Sequence, residues 1–187
     1  MKKVLAAIFA VAIVCLGVYS VNAQTPNVTV YFDEYASETS ADCPTEPVGT
    51  VYDEFLVVAN NFNMWMNAIE YKIEFPPQIA WDGDVAVDNT LVLGFSWQGT
   101  AIVFTLPGQA FGPLVVQKVQ FVWMCDNCSP ENQNAQVKVV PYPDSGKVRA
   151  LRYPDLFEVQ GVGMTSLICA TIPNEDTTWG KVKALYE

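Results

Sequence analysis

The sequence predicts an all-β protein: a two-sheet antiparallel β-sandwich of about nine strands, with an N-terminal signal helix and a short C-terminal helical tail. Three observations support this fold class. Hydrophobic residues make up 51% of the 187 residues and charged residues only 16%, which is typical of a chain that buries a core rather than of a disordered one. Apolar and polar residues alternate over many short segments, as in strands with one buried face. Proline, glycine, asparagine and aspartate separate these segments, as they do in turns.

Residues 1–23 have the three parts of a secretory signal peptide. Lys2 and Lys3 supply the positive start, residues 4–18 are apolar, and Val21-Asn22-Ala23 is a small-residue cleavage site. The apolar run of about 15 residues is shorter than the roughly 20 needed to span a bilayer. We therefore expect a secreted, periplasmic or cell-surface product that is not inserted in the membrane. The predicted domains are the signal peptide (1–23), the β-sandwich (24–173) and the tail (174–187).

The first predicted strands are segments 28–32, 51–60 and 66–75. The third is the clearest, because it alternates one apolar and one more polar side over its whole length. The apolar side consists of Ile69, Tyr71, Ile73 and Phe75, and the other side of Ala68, Glu70, Lys72 and Glu74. Pro76 and Pro77 end this strand, since proline cannot donate to a strand ladder.

Two hairpins are predicted further along the chain. Segments 91–97 and 102–106 are joined by the turn Gln98-Gly99-Thr100, and segments 136–142 and 147–153 by Asp144-Ser145-Gly146. Segments 115–125 and 157–161 complete the predicted strands. Trp97 and Trp123 are in phase with apolar neighbours, which places both in the predicted core.

The C-terminal tail is the only predicted helical segment of the mature chain. Trp179, Val182 and Tyr186 share one face of one or two helical turns. Docking of this face on the sandwich is favoured over a partner-docking or sorting role, because short amphipathic segments usually serve burial.

The composition excludes several classes of function. Twenty acidic and ten basic residues give a net charge of −10, which disfavours nucleic acid as a partner. The chain has no histidine, which excludes a Ser-His-Asp triad, a Cys-His pair and a histidine-ligated metal. A glycosidase needs only two carboxylates, so pairs such as Asp33-Glu34 and Asp53-Glu54 keep a hydrolase open as the least favoured function. We expect a protein that is not an enzyme.

Three further groups of residues are candidate sites. Carboxylates of Asp82, Asp84 and Asp88 could hold calcium, although a solvated loop is the favoured interpretation. Exposed Trp65 and Trp81 could stack on sugar rings or on a protein partner. A basic cluster could bind an acidic partner, although a solvated hairpin face is favoured. The cluster consists of Lys138, Lys147, Arg149 and Arg152.

The order of segments 28–31, 67–77, 99–104 and 114–122 resembles the cohesin-like branch of the carbohydrate-binding-module superfamily. In cohesins, the matching pattern is an alternating strand that ends at an aromatic-Asp-Pro corner, then a hairpin, then a strand with a central phenylalanine. Here the corner reads Phe75-Pro76-Pro77 and the central residue is Phe121. The chain is also similar to small secreted bacterial proteins that end in segments like Thr178-Trp179-Gly180. The resemblance implies a jelly-roll sandwich that binds other molecules outside the cell without catalysis.

Four cysteines remain after the signal: Cys43, Cys125, Cys128 and Cys169. An even number in an exported protein indicates disulfides, for which three connectivities exist. The spacing of Cys125 and Cys128 also fits a zinc knuckle or a redox pair, and disulfides are favoured over both. The cohesin-like strand order would bring all four thiols to one end. Of the three connectivities, we expect Cys43–Cys169 with Cys125–Cys128.

The favoured function is therefore that of an exported protein-interaction or structural module of the cohesin-like type. The alternative is a glycan-binding module that uses Trp65 and Trp81. No resident cofactor is expected, with calcium as the exception that the acidic segment leaves open.

Overall fold

The computed structural model describes residues 24–44, 47–126 and 135–169, which form twelve β-strands and no helix. The strands are β1 (Asn27–Tyr31), β2 (Ser40–Ala41), β3 (Val51–Asn60), β4 (Met64–Glu74), β5 (Ile79–Ala86), β6 (Thr90–Phe95), β7 (Gly99–Ala110), β8 (Leu114–Trp123), β9 (Ala135–Val140), β10 (Val148–Arg152), β11 (Glu158–Gly163) and β12 (Thr165–Ile168). The predicted signal peptide (1–23) and the whole predicted tail (174–187) lie outside the described residues.

Strand β4 is the centre of the first sheet. On one side it pairs with β7, which pairs in turn with the edge strand β6. On the other side it pairs with β10 near Glu70 and with β9 near Ile73. Strands β9 and β10 therefore lie end to end along β4, separated by the 141–147 loop. Beyond them lie β11, paired with β10, and β12, paired with β9 and β2.

The second sheet runs β5-β8-β3-β1, with every neighbouring pair antiparallel. Strand β1 also pairs with β11 in parallel and so connects the two sheets at one edge. A second parallel pair joins β2 to β12. The antiparallel pairing expected from the sequence therefore holds, with these two exceptions.

The two sheets stack face to face over a single core. Strand β4 contributes Ile69, Tyr71 and Ile73 to this core, and β8 contributes Val119 and Phe121. All five side chains are almost completely buried. A hydrogen bond between β4 and β8, donated by Tyr71 to a glutamine, crosses the same interface. This layered arrangement is the predicted β-sandwich.

The observed strands agree with most of the predicted ones. Strand β3 has the predicted bounds, and β4 buries its predicted apolar side. The first predicted hairpin is confirmed as β6-β7, although its turn lies at residues 96–98, before Gly99. The second predicted hairpin turns where expected, at residues 143–146, but its two strands do not pair with each other. Tyr142 and Lys147 form only an isolated bridge, because β9 and β10 find their partners on β4 instead of on each other.

The stretch from Asp82 to Asp88 was expected to be a solvated loop, and this expectation is wrong for most of it. Asp82 and Asp84 lie within β5, which pairs with β8 through a register shift between Trp81 and Gly83. An edge strand with a bulge tolerates charged residues and glycine that would disfavour a central strand. The sequence pattern thus missed β5, and it also missed the short strands β2 and β12.

A disulfide joins Cys43 to Cys169, with their Cα atoms 4.1 Å apart. This confirms one predicted pair and excludes both cysteines from a zinc site. Cys125, just after β8, is disulfide-bonded as well. Cys128 lies outside the described residues, so the pair Cys125–Cys128 stays a prediction. None of the described segments forms a helix of the length and apolarity that crossing a bilayer requires.

Candidate functional site

The outer surface of the first sheet carries a continuous row of apolar side chains. Residues directly opposite each other in neighbouring strands point to the same side of a sheet. Six residues are connected in this way across β6, β7, β4 and β10, and we call them the apolar face. They are Leu91, Leu93, Ala101, Val103, Ala68 and Leu151.

The most exposed part of the apolar face is the edge strand β6. Leu91 is 52% exposed and Leu93 is 49% exposed, whereas the other four residues are half-buried. On β7, Ile102 is buried and points to the core, so its neighbours Val103 and Ala101 point to the outside. Leu91 and Leu93 lie directly opposite these two residues and therefore also point away from the core. Together with the half-buried residues beside them, the two leucines form a contiguous apolar patch. Contiguous patches, rather than single exposed apolar residues, mark interaction surfaces.

A charged network borders the apolar face on β4, β10 and β11. Arg149 donates from Nε to Glu70 at 2.7 Å and from Nη1 to Glu158 at 2.9 Å. Lys147 donates to the other oxygen of Glu158 at 2.7 Å. Hydrogen bonds from Lys147 and then Arg149 lower the pKa of Glu158, and those to Glu70 and Glu158 raise the pKa of Arg149. Both shifts favour the charged forms of Glu158 and Arg149.

The predicted basic cluster is largely neutralised within the chain. Lys147 and Arg149 belong to the network just described, and Arg152 donates to Asp155 at 2.6 Å. The hydrogen bonds from Arg152 lower the pKa of Asp155 to about 2. Lys138 lies exposed on β9. Three of the four basic side chains thus already have carboxylate partners, which disfavours a patch for an acidic partner.

A second exposed feature is a cleft at the end of β4, between the edges of the two sheets. It has a volume of about 610 Å³. We call it the tryptophan cleft, and it is lined by Lys72, Ile73, Glu74, Phe75, Trp81 and Trp97. The rings of Trp81 and Trp97 lie 6.3 Å apart between centroids at an interplanar angle of 48°. The ring of Phe95 meets Trp81 edge-on at 5.3 Å.

The two tryptophans predicted as one contact surface are not neighbours. Trp65 is 42% exposed at the start of β4 and meets Phe111 edge-on at 6.1 Å. Trp81 lines the cleft beside Ile73, eight residues further along the strand, a distance of about 26 Å at 3.3 Å per residue. One sugar ring or one short peptide segment cannot contact both.

Trp97 was predicted in the core, and this is wrong. It is 44% exposed in the turn between β6 and β7, whereas Trp123, predicted in the same way, is 1% exposed. The alternation that places Leu91 and Leu93 outside continues into the turn, and a period of two cannot show which side of a strand faces the core. The partner of Trp81 is therefore Trp97, which the sequence did not indicate.

The acidic residues proposed for calcium are not gathered into a metal site. The described residues contain no group of three carboxylates or cysteines placed to hold a metal. The Asp84 carboxylate is used within the chain: it accepts a hydrogen bond from Gln117 Nε2 at 2.5 Å and one from the Ser96 amide at 2.8 Å. It links β5, β8 and the β6-β7 turn.

The carboxylate pairs proposed for hydrolysis gain no support from the geometry of Asp33. Burial would raise the pKa of Asp33, but hydrogen bonds from the Glu38 amide and from Ser37 outweigh it and lower that pKa. A general acid needs a raised pKa. The Asp33 carboxylate instead fixes the loop after β1. The side chains of Asp53 and Glu54 lie outside what the structure describes.

Comparison with known proteins finds similarity at the level of structure but not of sequence. No family model matches the chain, and no curated protein matches its sequence. The fold is similar to that of a non-cellulosomal cohesin from the hyperthermophilic archaeon Archaeoglobus fulgidus. The two share 12% identity with a TM-score of 0.48, over 81% of this chain and 97% of the cohesin chain.

Proposed function

We propose that this chain is an exported, non-catalytic module that binds a protein partner through the apolar face. The observation that carries the proposal is the exposure of Leu91 and Leu93 on the edge strand β6, continuous with Val103 and Ala101 on β7. Burial of each leucine against a partner would remove apolar surface from water, a gain of about 25 cal/mol for every Å².

The net charge of the chain, rather than the internally paired charged network, indicates the chemistry of the partner. Glu70 and Arg149 lie in the same cross-strand row as Leu93 and Ala101, so one half of the surface is apolar and the other is charged. The whole chain carries a net charge of −10, which favours encounter with a basic protein surface. The expected partner therefore presents an apolar patch bordered by lysine or arginine.

A rigid sheet is well suited to this task. The backbone of β7, β4 and β10 is hydrogen-bonded on both sides, so the face changes little on binding and loses little conformational entropy. Among the described residues, three carboxyl groups have a pKa that departs from the ordinary value, and in each of them the pKa is lowered. They are Asp33, Asp155 and Glu158. These groups are suited to ion pairing and loop structure rather than to proton donation.

The experiment that tests the proposal uses immobilised full-length chain to capture envelope and culture proteins of the source organism. The wild type is compared with a Leu91→Asp/Leu93→Asp variant, and captured proteins are identified by mass spectrometry. We expect a specific protein whose retention on the double variant falls by at least about tenfold, because two charges would be desolvated in an apolar interface.

The matched control is Val85→Asp, an exposed apolar residue on β5, the edge strand of the other sheet. This variant should capture the partner like the wild type. If the double variant retained the partner as well as the wild type, the apolar face would be excluded as the binding site. If Val85→Asp also lost the partner, the loss would not be specific to the apolar face. Sedimentation of the chain alone distinguishes a second copy as the occupant, which would also contradict the proposal.

A further inference from the structure

The tryptophan cleft combines exposed aromatic surface with polar groups, independently of the apolar face. Trp97 lies in a three-residue turn at positions 96–98, where small and polar residues are the usual choice. Its indole is 44% exposed, although a turn of this length needs no aromatic side chain. An aromatic ring kept in such a position is typical of a binding site.

The shape of the cleft suits a flat ligand with two unlike sides. The indoles of Trp81 and Trp97 form an open angle of 48°, so a ring that stacks on one indole lies with its edge toward the other. The faces of aromatic rings carry negative charge density, and they attract the polarised C–H groups on the side of a pyranose ring. The exposed ring of Phe95 meets Trp81 edge-on and adds to the aromatic surface at the cleft.

Polar groups lie at the rim where the hydroxyls of such a ring would be. Lys72 and Glu74 line the cleft, with Nζ and Oε1 3.7 Å apart. Together they offer donors and acceptors but no net charge. The volume of about 610 Å³ lies within the roughly 300–1,000 Å³ that small-molecule sites occupy.

Two buried polar atoms beside the cleft have unused hydrogen-bonding capacity. Trp81 Nε1 and Ser96 Oγ are buried and have no hydrogen-bond partner among the described residues. Ser96 precedes Trp97 in the turn, and its side chain is completely buried. An unpaired buried polar group costs about 1–3 kcal/mol, a cost that proteins tend to retain at functional sites.

We propose that the tryptophan cleft binds a hexose unit of a neutral polysaccharide, with the ring stacked on Trp97 and its hydroxyls bonded to Lys72 and Glu74. A neutral glycan is favoured over an acidic one because the whole chain carries a net charge of −10. The cleft shares no residue with the apolar face but lies at its end, because Trp97 follows Leu91 and Leu93 along β6 and into the adjoining turn. A bound polysaccharide would therefore lie beside the protein-binding surface.

The test is retention of the full-length chain on insoluble cellulose, mannan and β-1,3-glucan, with alginate as an acidic polysaccharide for comparison. We expect specific retention on at least one neutral polysaccharide, and at least a tenfold loss for Trp97→Ala. This turn residue contributes little to the core, and circular dichroism will verify the fold. As an independent readout, the bound glycan should change tryptophan fluorescence in the wild type.

The matched control is Trp65→Ala, which removes a tryptophan of nearly equal exposure at the other end of β4. It should be retained like the wild type. Absence of retention on all three neutral polysaccharides, retention unchanged in Trp97→Ala, or equal loss in Trp65→Ala would each overturn the proposal. The Leu91→Asp/Leu93→Asp variant should keep glycan retention, so failure of the glycan site and failure of the protein-binding face are distinguishable.

Discussion

At the residue scale, a buried polar chain determines how the two sheets meet. Tyr71 donates to Gln117 Oε1 at 2.5 Å, and Gln117 Nε2 donates to Asp84. Asp84 in turn accepts from the amide of Ser96. The chain of hydrogen bonds thus runs from β4 through β8 and β5 to the β6-β7 turn, next to the tryptophan cleft. A buried network of this kind favours one arrangement of the sheets over others.

Replacing Tyr71 by phenylalanine should test the contribution of this network. The substitution leaves Gln117 Oε1 buried without its donor, which should lower the free energy of unfolding by about 1–3 kcal/mol. Urea unfolding at neutral pH measures the change. The control is Tyr142→Phe, a half-buried tyrosine whose hydroxyl bonds to no other residue of the described part; its cost should stay below about 0.5 kcal/mol.

The same tyrosine should make stability depend on pH in the alkaline range. Burial, followed by the charge of Asp84, raises the pKa of Tyr71 well above 10.0. In the unfolded chain the Tyr71 hydroxyl ionises near pH 10.0, whereas in the folded protein it keeps its proton to higher pH. The stability that the protonated, buried hydroxyl contributes is therefore fully present below pH 10.0 and is lost as the pH rises above it. Unfolding free energies measured at about pH 9 and pH 11 should fall less in Tyr71→Phe than in the wild type. An identical decrease in both proteins would show that Tyr71 ionises freely.

At the element scale, the joint between β11 and β12 depends on close backbone contact. Gly163 ends β11, and a Cβ built on it would overlap the carbonyl oxygen of Val139 on β9. The neighbouring amide of Val139 donates to Met164 O at 3.0 Å. Only a glycine at this position lets β9 come close enough to pair with β12, at the point where β11 ends and β12 begins.

Gly163→Ala should consequently weaken the fold by roughly 1–3 kcal/mol, as overpacking does in other proteins. Thermal and urea unfolding report the loss. Gly112→Ala serves as the control, because a Cβ there meets nothing within 4 Å. A Gly163→Ala protein as stable as the control would mean that β9 and β11 can separate without cost.

At the scale of the whole molecule, the disulfide closes nearly the entire sandwich. Cys43 and Cys169 are separated by 126 positions in sequence, so the bond restricts the unfolded chain over most of its length. Cross-links of this kind contribute roughly 2–5 kcal/mol. The double variant Cys43→Ser/Cys169→Ser should lose stability in this range, measured by urea unfolding without reductant. A loss under about 0.5 kcal/mol would indicate that packing of β12 on β9 suffices.

The sequence predicted the sandwich well because two of its central strands carry strong apolar patterns. Strand β3 was placed at its observed bounds because residues 55–59 are a continuous apolar run, all of it buried. The buried side of β4 was identified correctly because its apolar residues alternate with more polar ones. Strand β5 was missed because Asp82, Gly83 and Asp84 together look like a turn. The register shift at Gly83 that lets them remain in an edge strand depends on β8, which is distant in sequence.

The candidate sites were harder to predict, because exposure depends on how the sheets are stacked. Trp97 and Trp123 have similar sequence surroundings, yet one lies in a turn and the other in the core. The Arg149 network brings Glu70 beside a residue 79 positions away, a distance over which no local pattern carries information. The Cys43–Cys169 pair was predicted although its members are 126 positions apart. That prediction used the cohesin-like strand order, which brings the cysteines to one end of the sandwich.

The end-to-end arrangement of β9 and β10 has a consequence for how this protein can vary. Each strand is aligned by β4, and the two strands meet only at the Tyr142–Lys147 bridge. The tip of the loop at residues 144–146 therefore does not set the register of the sheet. Residues can be added there with only a small entropic cost for the longer loop. This position is therefore a natural site for inserted sequence, whether acquired in evolution as a second recognition loop or introduced in the laboratory as an epitope tag or fluorophore. Such an insertion would project from the sandwich while leaving both sheets unchanged.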